Sequence, residues 1–194
     1  MADASRPGLI RRVFRALTSP SARWSVLALL VVGGLGGATA VVGTQVMVHA
    51  TGTTEFCGGA CHSMQWVAKA HKAGSHGANK IGVGASCSDC HIPHDYPGVL
   101  FYKAQAGIKD AIAEAQGVIS TEEKYKAQQK RMAEHVWAEF RATDSANCRT
   151  CHVFTPEVLA QQKGGARKDH ETRKAQNKTC IDCHTGVGHE EPES

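Results

Sequence analysis

The chain's eight cysteines fall into four close pairs: Cys57 with Cys61, Cys87 with Cys90, Cys148 with Cys151, and Cys180 with Cys183. Each pair is followed directly by a histidine, namely His62, His91, His152 and His184. With 11 histidines in 194 residues, that arrangement has a chance on the order of 10⁻⁵. Four disulfides, or zinc held by paired thiolates, are rival uses of such cysteines, but neither requires the histidine. CxxCH is the attachment signature of c-type haem. Two thiols bond to the two haem vinyl groups, and positions i and i+3 share a helix face ~5–6 Å apart, with the next histidine carried round toward the iron.

The first site has one residue more, Cys57-Gly58-Gly59-Ala60-Cys61-His62. Positions i and i+4 also share a face, so attachment is expected there too, with His62 rotated relative to the other three. Haems at all four sites would need further axial ligands, and seven histidines lie outside the motifs: His49, His71, His76, His94, His135, His170 and His189.

Elements must hold these groups, and aromatic residues are only 6% of the chain. Side chains alone would make a poor core, so covalently attached haem is expected to order the fold. From Trp24 to Val48 no residue is charged. As a helix this stretch is ~37 Å long, enough to cross a ~30 Å hydrocarbon layer with some tilt. Five arginines, Arg6, Arg11, Arg12, Arg15 and Arg23, precede it, against the lone Asp3. The positive-inside rule then sets the N-terminus in the cytoplasm and the rest across the membrane. Ala38, Thr39 and Ala40 imitate a signal-peptide cleavage site, but the apolar run continues beyond them. Past residue 23 the basic and acidic residues balance at 17 each, which disfavours nucleic acid as a partner.

Between the second and third motifs, two helices are expected. One starts at Pro97 and runs to about Gln116 with Gly117 as its stop, and one is capped by Ser120 with Glu123 and runs to about Arg141. Asn79 to Ser86 is Gly-rich and reads as loop. No lasting period-two pattern appears, so the class is all-α. The organisation is a basic N-terminus (1–23), a transmembrane helix (24–48), a tetrahaem domain (49–189) and an acidic tail (190–194).

TTEFCGGACHSM, CSDCHIPH, HVWAEF, TDSANCRTCH and TCIDCHTGVGH, in this order after one span, resemble the NapC/NirT family of membrane-anchored tetrahaem quinol dehydrogenases, which includes the anchor subunit of cytochrome c nitrite reductase. The resemblance implies four covalently bound haem c groups, with quinol or quinone as substrate. It also implies a place in the bacterial inner membrane, with the haem domain in the periplasm. It makes His91, His152 and His184 iron ligands, and puts Met64, two residues beyond the first motif histidine, on the first haem. Because the family has CxxCH where this chain has CxxxCH, His62 remains the alternative to Met64.

The same resemblance gives His135 as the second ligand of haem 2, His189 of haem 3 and His76 of haem 4, with His71 in reserve and His94 and His170 at familiar positions but unassigned. It puts Lys103 and Asp110, 12 and 19 residues beyond His91, in a quinol pocket beside haem 1. The implied function is quinol oxidation at haem 1 and relay through haems 2 to 4 to a periplasmic multihaem or molybdenum oxidoreductase, as a heterocomplex or homo-oligomer. The alternatives are a haem tether without quinol chemistry, a relay running toward quinone, and a small-substrate reductase, which the surplus of histidines argues against. Lys103 and Asp110 can also be read as solvated charges on an amphipathic helix.

Overall fold

The structure, a computed structural model, describes residues 8–18, 26–79 and 82–192. Arg6, Arg23, Trp24 and the last two residues of the acidic tail therefore lie outside the described residues. The chain divides into two compact units, Met1–Val46 and Met47–Ser194.

The first unit holds α1 (Leu9–Thr18), which carries Arg11, Arg12 and Arg15, and most of α2 (Val26–Ala50). Within α2, Leu27–Ala50 is a 24-residue stretch long and apolar enough to cross a membrane, and none of it is buried. The described helix thus ends two residues beyond the expected Val48.

The second unit is built from α3 (Thr54–Gly59), α4 (Gln65–Ala73), α5 (Cys87–His91), α6 (Gly98–Ala115), α7 (Glu122–Ala142), α8 (Pro156–Ala160) and α9 (Gly164–Thr172). Among the described residues there is no strand. The buried hydrophobic side chains there are Ile119, Tyr125 and Ile181, far too few to hold the unit by apolar burial alone.

Local hydrogen bonds set the helix ends. α6 closes on Gly117, whose φ of 62° an L side chain rarely adopts. The Gly117 and Val118 N–H groups return to the carbonyls of Glu114 (3.0 Å) and Ala113 (3.1 Å), a Schellman closure. The cap of α7 is Thr121, not the expected Ser120: the Lys124 N–H donates to Thr121 Oγ1 at 3.3 Å. Ser120 is occupied elsewhere, its hydroxyl donating to the Gly117 carbonyl at 3.1 Å.

α3 and α4 approach closely enough that a Cβ on Gly58 would lie 2.5 Å from Ala68 Cβ. The C-terminal segment folds back on the end of α4, where Ser75 Oγ donates to the Val187 carbonyl at 3.2 Å. Arg141 on α7 pairs with Asp182 at 2.7 Å, and the Ile181 N–H donates to buried Ser145 at 3.4 Å.

Candidate haem-binding and redox site

The second, third and fourth cysteine motifs are short helical turns that each carry both cysteines. In the third and fourth, the histidine N–H returns to the carbonyl of the first cysteine: His152 to Cys148 at 2.9 Å and His184 to Cys180 at 3.0 Å. α5 carries Cys87, Cys90 and His91. Asp89 accepts from the Ser86 N–H at 2.7 Å and hydroxyl at 2.9 Å, and Asp182 accepts from the same groups of Thr179 at 2.8 and 3.0 Å. Both are capping boxes that the sequence analysis missed, although the pattern Ser/Thr-Cys-x-Asp-Cys-His was their signal. Asn147 stands at the equivalent position of the third motif but reaches across to the second, donating to the carbonyls of Cys90 (2.8 Å) and Ile92 (3.0 Å).

The first motif is built differently. Cys57 sits in α3, which Thr53 caps by accepting from the Phe56 N–H at 3.1 Å. Cys61 begins a separate 3-10 turn, His62–Met64. Here it is Met64 whose N–H returns to a motif cysteine, Cys61, at 3.1 Å. Met64 is half-buried and His62 is exposed.

None of the eight cysteines is in a disulfide. The interaction between neighbouring Cys57 and Cys87, followed by burial, pushes the Cys57 thiol up, while the same interaction lowers Cys87 to about 6 against the opposing effect of burial. Burial, followed by neighbouring Cys180, raises Cys148. Burial lifts Cys90 to about 11, with smaller effects from Cys148 and other neighbours. The first motif is thus adjacent to the second, the second to the third, and the third to the fourth.

The histidine rings form pairs. With metal–imidazole bonds of ~2 Å and ~1 Å from nitrogen to ring centre, two rings on opposite sides of one metal ion have centres roughly 6 Å apart. His91 and His189 are 6.1 Å apart, His76 and His152 5.9 Å, and His170 and His184 6.1 Å. Second contacts orient the rings of His76 and His170. His76 Nδ1 donates to the Val187 carbonyl at 2.9 Å, and His170 Nδ1 to Gln162 Oε1 at 2.7 Å. This is the usual way a ligand imidazole is fixed with its other nitrogen free. Burial lowers His91, and burial followed by His91 and His71 lowers His189 to about 4. His189 Nδ1 is buried without a hydrogen-bond partner, as is Trp66 Nε1.

This arrangement differs from the pairing expected above. His189 lies beside His91 rather than His152, and His76 beside His152 rather than His184. His135 is 59% exposed and contacts Glu139 at 3.3 Å, whereas His170, left unassigned on sequence, faces His184. The cause is the fold-back of the C-terminal segment onto α4, which spacing along the chain does not report. His71 is also near His189, at 5.9 Å, but its Nε2 donates to the Ala85 carbonyl at 2.8 Å. His94 Nε2 donates to the Asp89 carbonyl at 3.0 Å, and His49 is exposed at the end of α2. The residues present fit covalently held haems with paired axial ligands.

On α6, Lys103, Asp110 and Glu114 project to one side. Lys103 Nζ donates to Thr51 Oγ1 at 3.0 Å; its desolvation lowers its pKa, and the neighbouring Cys57 raises it. Desolvation raises Asp110, offset in part by Lys109, and Asp110 acts electrostatically on both Cys57 and Cys61. Glu114 accepts from the Ser63 hydroxyl and from the Ser63 N–H at 3.4 Å; these contacts hold its carboxyl below the usual range. Glu114 was missed in the sequence, although its four-residue step from Asp110 was a signal for one helix face.

Comparison with known proteins adds the following. The NapC/NirT cytochrome c family, N-terminal region, matches residues 19–194. Cytochrome c-type protein TorC of Escherichia coli K12 is 40% identical over 95% of this chain; the chain spans only 47% of that relative's length. Denitrification system component NirT of Stutzerimonas stutzeri is 38% identical over 93% of this chain and 90% of its own. Among solved structures, one chain of a cytochrome c nitrite reductase NrfHA complex bound to the HQNO inhibitor aligns with a TM-score of 0.50 and 25% identity. The alignment covers 86% of this chain and 93% of that one.

Proposed function

This chain belongs to the NapC/NirT cytochrome c family, and on that premise we propose that it is a membrane-anchored tetrahaem cytochrome that oxidises quinol at its first haem site and passes the electrons to a periplasmic redox partner. The observation that carries the reading is the polar face of α6. Lys103 and Asp110 both lie within electrostatic reach of Cys57, with their pKa values displaced toward each other.

When bound, the haems supply one-electron exchange. Cys57 with Cys61, Cys87 with Cys90, Cys148 with Cys151, and Cys180 with Cys183 would hold them through thioether bonds. His91 with His189, His152 with His76, and His184 with His170 would hold the irons of three haems, and Met64 would serve the first site. Quinol gives up two protons along with its electrons, so the pocket needs a base and an anion-stabilising cation. Asp110 accepts a proton, and its raised pKa brings it closer to the working pH. Lys103, tied to Thr51, holds the quinol oxygen and the negative charge that develops on it.

In this reading the N-terminus is cytoplasmic and the haem domain periplasmic. The acceptor is a multihaem or molybdenum oxidoreductase, reached through a heterocomplex. Quinol oxidation by the full chain in vesicles, with HQNO as the probe of the pocket, tests the proposal. Turnover that HQNO suppresses supports it, and absence of any quinol-dependent haem reduction overturns it.

A further inference from the structure

α6 is amphipathic in the reverse of the usual sense. On the side that carries Lys103, Asp110 and Glu114, Lys103 is tied to Thr51 and Glu114 to Ser63 of the first cysteine motif, with exposed Asp110 between them. Tyr102, on the flank, lies within electrostatic reach of Glu139 of α7. At ~100° per residue, Phe101, Ile108 and Ile112 project within ~40° of one another on the opposite side. They are 74%, 66% and 53% exposed. Exposed Ala104, Ala111 and Ala115 widen the stripe, and Gln105, Gln116 and Lys109 border it. Water is a poor solvent for such a surface.

What covers the stripe follows from where α6 is tied. Thr51 comes directly after the last residue of α2, and its hydroxyl is the group that receives Lys103. A 24-residue apolar helix is ~36 Å long, more than the ~30 Å hydrocarbon layer, so its final turn reaches the headgroup zone. The first turns of α6 are therefore fastened at the level where the chain leaves the bilayer. A stripe of large apolar side chains bordered by glutamines and a lysine, at that depth, has the composition of an interfacial helix.

We infer that α6 lies in the membrane surface, with Phe101, Ile108 and Ile112 entering the boundary between headgroups and acyl chains and Lys109 at headgroup level. The inference does not depend on quinol chemistry, because it concerns the outer face of the helix and holds whether or not Asp110 accepts a proton.

The test uses the full-length holoprotein in vesicles of phosphatidylethanolamine and phosphatidylglycerol. The photoreactive residue p-benzoylphenylalanine is placed singly at positions 101, 108 and 112, at exposed position 130 on α7, and at position 35 in α2 as a reaction control. After irradiation, chains labelled at 35, 101, 108 and 112 are expected to gain the mass of one phospholipid, and the chain labelled at 130 is not. The haem spectrum reports folding of each labelled chain, and any of the three α6 positions suffices. Lipid adduct at 35 without adduct at 101, 108 or 112 overturns the inference. So does crosslinking of those positions to a second copy or to another protein in place of lipid.

Discussion

Glu114 on α6 binds Ser63 through both its hydroxyl and its backbone N–H, across 51 residues of sequence. Ser63 lies between His62 and Met64, so this one carboxylate holds the short turn that presents the two candidate ligands of the first haem. Loss of the contact, in Glu114→Ala, is expected to blur that presentation. The variant should carry its full haem load but show a mixed ligand signature at the first haem in its electron paramagnetic resonance and near-infrared spectra. Glu114→Gln, which can still accept a hydrogen bond, should resemble the parent. An unchanged spectrum in Glu114→Ala would remove this role.

Haem load is the most direct check on the cysteine reading. The purified chain should have the intact mass of four covalent haems, including one on Cys57 and Cys61 despite the extra residue between them. A mass corresponding to three would leave the quinol proposal without its electron acceptor.

Axial pairing separates the geometry from the pairing expected on sequence. His170→Ala should convert one bis-histidine centre into a high-spin one, and His135→Ala should leave all the low-spin signals in place. The reverse result would restore the pairing of His135 with His91.

The sequence was most informative where chemistry is local. Cysteine pairs, their histidines, the Gly117 stop and the long apolar helix could be read from neighbouring residues alone, because each depends on hydrogen bonds or side chains only a few positions apart. Ring pairing depends on contacts such as His76 with Val187, 111 residues apart, and no periodicity encodes those. The same limit hid the bridge from Asn147 to the second motif. Ser120 misled for a different reason: two adjacent hydroxyl residues, Ser120 and Thr121, both suited a cap, and the closing turn took the first.

Proton transfer at Asp110 has a pH signature whose sign is fixed. The acceptor must be ionised, and desolvation raises its pKa. Quinol oxidation should therefore fall as pH drops through a value above the ordinary ~3.9 of aspartate. In Asp110→Asn the rate should be lower by something like the 10²–10⁴ typical of general acid–base groups, and the acid limb should vanish. Lys103→Met should weaken HQNO binding while leaving reduction by dithionite intact. Near-normal turnover in both variants would return these residues to the role of solvated helix charges.

Asn147 gives a prediction for stability. Its amide satisfies two carbonyls of the second motif at once, so Asn147→Ala leaves both without that partner. A loss of ~1–3 kcal/mol is expected in denaturant unfolding of the holoprotein. A loss within error would mean that water replaces the amide freely.

The scarcity of buried hydrophobic side chains in the second unit, with Ile119, Tyr125 and Ile181 as its core among the described residues, bears on the order of events during biogenesis. Ordering a chain of this size costs conformational entropy that such a core cannot offset. Before its prosthetic groups arrive, the polypeptide is thus an open polymer whose thiols are reachable by an attachment enzyme. With haem attached as proposed, maturation would precede folding, and each thioether would commit another stretch of the chain to its final shape.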